Sequence, residues 1–190
     1  SILATGQHTD MLLAPMAFFG LEPDFNLSIM KEGQSLDYIT SSILEGAGNV
    51  FDEIHPSIVL VHGDTTTTFA STLAAFYRSI PVGHVEAGLR SHNLSSPFPE
   101  EMNRILTDRL STYWFAPTKG AMENLLKEGY PDDKIWVTGN TVIDALLLTS
   151  KKVSNPHDSA LLTLSPEEKF ILVTAHRRES WGDGLNRICN

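Results

Sequence analysis

Three acidic residues stand where apolar runs give way to polar ones: Asp64 in "VLVHGDTTTT", Glu86 in "PVGHVEAGLRS" and Glu100 in "PFPEEMNR". A carboxylate beside a reacting carbon can take a proton, return one, or stabilise developing positive charge. His176, in "ILVTAHRRES", adds an imidazole, the side chain that most often moves protons near neutrality. Each residue also has a plainer role available. Asp64 suits the N-cap of a helix starting near Thr65, and Glu86 suits a solvated loop whose Gly88 supplies an unusual backbone angle. Glu100 and Arg104 are spaced i,i+4, which fits a surface ion pair worth about 0.3 to 0.5 kcal/mol. Four consecutive threonines, Thr65 to Thr68, are mediocre helix formers. They can cap the helix or pack against the sheet, or offer a row of hydroxyls at a helix N-terminus to an oxygen-rich anionic ligand.

Short apolar runs alternate with amphipathic stretches, the pattern of parallel strands crossed over by helices, so the chain reads as α/β. Strands are expected near Ile2 to Ala4, Ile58 to Val61, Val82 to Val85, Tyr113 to Ala116, Ile135 to Val137 and Phe170 to Thr174. The clearest helix runs from Leu36 to Ile54, with Ser35 as N-cap and Ile39, Ile43, Leu44, Ala47, Phe51 and Ile54 on one face. Further helices are expected over Thr9 to Phe19, Thr66 to Tyr77, Glu100 to Leu110, Ala121 to Lys127 and Val142 to Leu148. The polar, proline-containing stretch 151–166 reads as a linker between a sheet domain, 1–150, and the start of a second, 167–190. In open parallel sheets ligands sit beyond the carboxyl ends of the strands, where Asp64 and Glu86 fall. His176, ending the first strand past the linker, is expected to face a cleft between the domains.

Composition narrows the chemistry. The 190 residues are 42% hydrophobic and 19% charged, an ordinary globular balance. A net charge of −9 leaves no basic stripe for nucleic acid. The one cysteine, Cys189, excludes an internal disulfide and a multi-cysteine metal site, which fits a reducing cytoplasm. No apolar run is long enough to span a bilayer, and no secretory signal precedes the first motif. No helical His pair with metal-ligand spacing, no dinucleotide glycine fingerprint and no P-loop is present, so neither a metal nor a nucleotide cofactor of those kinds is expected. The chain opens mid-pattern on Ser1 without an initiating Met and reads as a piece of something longer.

Together with "TGNTVIDALL" and the upstream "TGQHTDML" and "DFNLSIMKEGQSL", these motifs closely resemble the non-hydrolysing UDP-N-acetylglucosamine 2-epimerase family, in family order along essentially the whole chain. The resemblance implies a GT-B architecture of two Rossmann-like domains, of which this chain carries the first without its initial strand and glycine loop, plus the beginning of the second. It implies UDP-GlcNAc and UDP-ManNAc as ligands, interconverted through elimination of UDP to a glycal and re-addition with C2 inverted, with no cofactor, in a cytoplasmic homodimer serving surface polysaccharide synthesis. Carried over residue by residue, Asp64, Glu86 and Glu100 take the family's catalytic carboxylate positions and His176 its catalytic or phosphate-contacting histidine. Arg104 takes a substrate-contacting position. Asp64 and Glu100 are the acid and base candidates, in an order the motifs leave open, with Glu86 positioning or stabilising charge. Gln7 and Gln34 match two contacts of a second, activating sugar-nucleotide site, whereas Thr9, Asp10 and Gly33 depart from its pattern. The fragment alone is expected to be inactive. A hydrolysing relative releasing UDP and free N-acetylmannosamine, and a non-catalytic binding domain, are the alternatives.

Overall fold

The computed structural model describes residues 1–7, 9–152, 169 and 171. Strands β1 (Leu3–Ala4) and β2 (Phe25–Asn26) pair in parallel as a small sheet. Strands β3 (Val59–His62), β4 (Val82–Val85), β5 (Tyr113–Ala116) and β6 (Ile135–Val137) form a parallel sheet in that order. The helices are α1 (Thr9–Phe19), α2 (Leu36–Ile54), α3 (Thr66–Phe76), α4 (Glu100–Leu110), α5 (Lys119–Lys127) and α6 (Thr141–Lys152), and α1, α3, α4 and α5 supply the crossovers that parallel pairing requires. Residues up to Ala145 make one compact unit. Helix α6 continues through Lys152, two residues into the stretch expected to be linker. The strand expected over 170–174 and His176 lie outside the described residues.

Helix α2 begins where Ser35 accepts the Tyr38 N–H on its hydroxyl, and it sets Ile39, Ile43, Ala47 and Phe51 into the core at helical spacing. Burying a side chain such as Ile43, which is 0% exposed, stabilises by about 1.5 to 3 kcal/mol. These residues meet Ala70, Ala74 and Ala75 of α3, small side chains that bring the two helices close, and Val61 and Val82 of the sheet. A second cluster, Ala87, Trp114, Ala116, Ala121, Leu125, Tyr130 and Ile135, packs under α5. Strand β3 ends its sheet, and a cavity of about 550 Å³ is lined from both sheets, by Leu3 and Phe25 and by Val59 and Val61, together with Thr5 and Thr67. Among the described residues no helix is long and apolar enough to cross a membrane.

Two features differ from the sequence reading. Strand β2 was not expected, being two residues long and set among turn-forming neighbours. Helix α4 is amphipathic, yet its buried residues are Glu101, Asn103, Thr107 and Asp108, all polar. It is a helix held by hydrogen bonds and ion pairs, which local apolar spacing cannot reveal.

Candidate active site

Strand β3 delivers His62, Gly63 and Asp64 to the carboxyl edge of the sheet. Gly63 adopts φ +74°, and its N–H donates to Val85 O at 3.0 Å, so the chain turns while still tied to β4. The helix cap that follows is Thr65: its hydroxyl accepts the Thr68 N–H at 3.3 Å. Asp64 is thereby free of the capping role the sequence offered it. It meets Arg104 instead, with Nη2 to Oδ2 at 2.6 Å, and its backbone oxygen accepts from Asn103 Nδ2 at 3.0 Å.

The threonine run finds internal partners. Thr68 donates its hydroxyl to His62 O at 2.6 Å, which closes the loop onto the helix start. Thr67 donates to Gln7 Oε1 at 2.6 Å and lies 3.2 Å from the Thr5 hydroxyl. Gln34 in turn donates Nε2 to Gln7 O at 3.0 Å, so Gln7 and Gln34, far apart in sequence, are in contact. Thr66 is buried. Three of the four hydroxyls therefore hold protein rather than forming an open donor row.

Strand β4 delivers Glu86, a non-glycine residue at φ +75°. Its N–H and that of Ala87 both donate to Phe115 O, at 3.0 and 3.1 Å, which holds this costly conformation at the strand end. The Glu86 carboxylate reaches Asn140 Nδ2 at 3.4 Å and His62 Nε2 at 4.0 Å. His62 Nε2 is also 3.1 Å from the Thr141 hydroxyl. A side-chain carbon placed on Gly63 would sit 3.4 Å from Glu86 Oε2, so the Glu86 carboxylate lies against the residue preceding Asp64.

Glu100 opens α4, and the expected pair with Arg104 does not form: Arg104 is taken by Asp64 and by Glu101, the latter at 3.4 Å. Among the described residues Glu100 makes no ion pair. Its neighbour Glu101, 0% exposed, accepts the Ser91 and His92 N–H groups at 2.9 and 3.0 Å and so shapes the loop between β4 and α4. Direct ion pairs thus join Asp64, Arg104 and Glu101, and Glu86 adjoins Gly63.

Beneath these loops lies a buried network that sequence reasoning missed. His84 of β4 holds Asp108 Oδ1 on Nδ1 at 2.6 Å and Gly63 O on Nε2 at 2.8 Å, both side chains being 0% exposed. Asp108 Oδ2 is ion-paired with Arg90 Nη1 at 2.8 Å and accepts from the Gly88 N–H at 3.2 Å. Arg90 also forks onto Glu128, at 2.7 and 2.9 Å. Burial works against the Arg90 charge, but the bond to Glu128 and the field and bond of Asp108 outweigh it, leaving its pKa above the ordinary value. Burial, and next the Asp108 charge, push the Tyr130 phenol up to about 12. Gly88, at φ +82°, packs so closely on the Ala121 carbonyl that any side chain would collide. His84 and Arg90 stand inside a quoted motif, but nothing local points from them to Asp108 or Glu128.

A family profile described as UDP-N-acetylglucosamine 2-epimerase matches residues 1–190. The UDP-N-acetylglucosamine 2-epimerase of Yersinia pestis is 50% identical over 195 residues, covering 100% of this chain and 52% of that protein. The Escherichia coli K12 protein of the same name is likewise 50% identical, over 100% of this chain and 52% of its own. The chain spans about half the length of the curated relatives it matches. Among solved structures, the Neisseria meningitidis UDP-GlcNAc 2-epimerase bound to UDP-GlcNAc superposes with a TM-score of 0.76 and 53% identity, over 80% of this chain and 42% of that one. The Methanocaldococcus jannaschii enzyme in complex with UDP-GlcNAc and UDP gives 0.77 and 38%, over 85% and 44%. The parallel α/β arrangement described above is the Rossmann-like half of their GT-B fold. Sequence, fold and neighbours agree that the chain belongs to the UDP-N-acetylglucosamine 2-epimerase family.

Proposed function

We propose that the complete protein containing this chain interconverts UDP-GlcNAc and UDP-ManNAc by the non-hydrolysing route. UDP leaves C1 with the electrons of the C1–O bond, a carboxylate takes the C2 proton, and the C1=C2 bond of a glycal forms. UDP then adds back at C1 while C2 is protonated on the opposite face. Asp64 and Glu100 exchange these protons, and Glu86 stabilises the positive charge that develops as UDP departs. Arg104, 2.6 Å from Asp64, orients that carboxylate and contacts the anionic substrate. His176 supplies the imidazole. The observation that carries this reading is that the Glu86 carboxylate, from the end of the adjacent strand and held at φ +75°, lies against Gly63, the residue preceding Asp64.

Residues 1–150 belong to the N-terminal sheet domain, 151–166, beyond the last two residues of α6, link it, and 167–190 begin the UDP-binding domain, so residues 1–190 alone do not catalyse. The complete protein works as a cytoplasmic homodimer in surface polysaccharide synthesis. The Gln34–Gln7 contact is what supports a remnant of a second sugar-nucleotide site there. Incubating the complete protein with UDP-GlcNAc tests the reaction. UDP-ManNAc is the expected product, whereas free UDP with N-acetylmannosamine as the main products would replace this route by the hydrolysing one.

A further inference from the structure

We propose that His84 is a positioning residue, protonated on both ring nitrogens, that clamps the loops bearing Asp64 and Glu86 in fixed relation to each other. The proposal rests on the reading of those two carboxylates as parts of the reaction site. Its geometry is independent of that reading.

The protonation follows from the partners. Gly63 O only accepts, so the His84 Nε2 that lies 2.8 Å from it must carry a hydrogen. Asp108 Oδ2 is already ion-paired with Arg90 and accepts from the Gly88 N–H. With Asp108 ionised, as its ion pair with Arg90 implies, Oδ1 is an acceptor and Nδ1 donates to it, at 2.6 Å. A ring that donates from both nitrogens is an imidazolium. Charge balance agrees. The chain Glu128, Arg90, Asp108 and His84, of which only Glu128 is partly open to solvent, then holds two cations and two anions in alternation, whereas a neutral ring beside an ionised Asp108 would leave one negative charge in excess. The groups facing the ring are Asp108 from α4 and, through it, Arg90; Glu128 stands beyond Arg90. Trp114, whose Nε1 donates to Asp108 O at 3.0 Å, contacts Tyr130 at 4.9 Å between ring centres.

The clamp grips both acid loops at their turning points. On one side Nε2 fixes the carbonyl of Gly63, hence the peptide plane that leads directly into Asp64. On the other, Asp108 fixes the N–H of Gly88, two residues beyond Glu86, in a turn where Glu86 and Gly88 take φ +75° and +82°. One buried pair therefore sets the spacing of two loops that belong to different strands. A displacement of about 1 Å at a reacting group costs roughly 10²-fold in rate. That is the loss expected when the clamp is broken without unfolding the chain.

Nitrogen NMR of the complete protein labelled with 15N-histidine, assigned through bonds in the unmutated protein at pH 7, reads the ring directly. Hydrogens on both His84 ring nitrogens are expected, and one bare nitrogen overturns the proposal. His84→Gln keeps a donor toward Gly63 and loses the one toward Asp108. Its kcat for epimerisation is expected to fall roughly 10²-fold, with KM changed by less than about threefold, because geometry rather than substrate binding is lost. An unchanged kcat overturns the positioning role. Absence of epimerisation by the unmutated protein is a failure of the functional reading instead, and the ring-nitrogen result then decides the clamp by itself.

Discussion

Helix α2 buries Ile39, Ile43, Ala47 and Phe51, whereas helix α4 buries Glu101, Asn103, Thr107 and Asp108. Both pack against α3. The apolar face needs only shape and area, because the hydrophobic effect has no direction. The polar face needs a partner for each charge, since an unpaired buried charge costs several kcal/mol. Those partners are the loops at the carboxyl edge of the sheet: Glu101 holds 91 and 92, Asn103 holds Asp64, and Asp108 holds Gly88 and His84. The apolar face of α2 packs the core, and the polar face of α4 holds the loops of the candidate site.

The contrast can be broken most forcefully at Asp108. Replacing it by Ala strands the buried Arg90 and His84, and a loss of about 3 to 5 kcal/mol in urea unfolding is expected. A loss under about 1 kcal/mol would mean that the α4 network is slack. Ile43→Val, at the centre of the apolar face, is expected to cost about 0.5 to 1.5 kcal/mol, and a value far above that range would show α2 to be the more exacting of the two helices.

Tyr130 sharpens the comparison through pH. Its hydroxyl is buried without a hydrogen-bond partner, so Tyr130→Phe is expected to leave stability at pH 7 unchanged or slightly higher. The folded phenol titrates near 12, above the ordinary value of 10, so the stability tied to its neutral form is whole below pH 10 and lost as pH rises through 12. Melting curves of the Phe variant should lack that part of the alkaline decline. The smallest effect is expected on the α2 side. Arg78 lowers the Asp52 pKa through a forked surface pair, with both bonds at 2.7 Å. The stability this pair gives is present above the ordinary carboxylate range and fades as pH falls through the lowered value. Asp52→Asn should remove only a shallow acid slope, and a clear loss at neutral pH would contradict that reading.

This difference between the helices also explains what could be read from the sequence. Periodicity placed α2 with both its bounds, and strand-length apolar runs those of β4, β5 and β6, because these are local signals; the bounds of α4 also fell where expected, but its polar buried face did not show in that spacing. The carboxylates Asp64 and Glu86 were visible as polar residues directly after apolar runs. Their partners were not. Whether Arg104 turns to Glu100, four residues away, or to Asp64, 40 residues away, is decided by where α4 lies over the sheet, and the structure chooses Asp64. Likewise the cap falls on Thr65 rather than Asp64, since Arg104 and Asn103 hold Asp64 elsewhere. The network from Glu128 through Arg90 and Asp108 to His84 joins four separate segments, and no spacing rule announces it.

The central claim is that the carboxylates of Asp64 and Glu100 move the C2 proton of a sugar nucleotide. It is tested most directly by proton NMR of UDP-GlcNAc incubated with the complete protein in deuterated water. The account predicts deuterium at C2 with the unmutated protein and none with folded Asp64→Asn or Glu100→Gln. Exchange at the unmutated rate in both variants would contradict it.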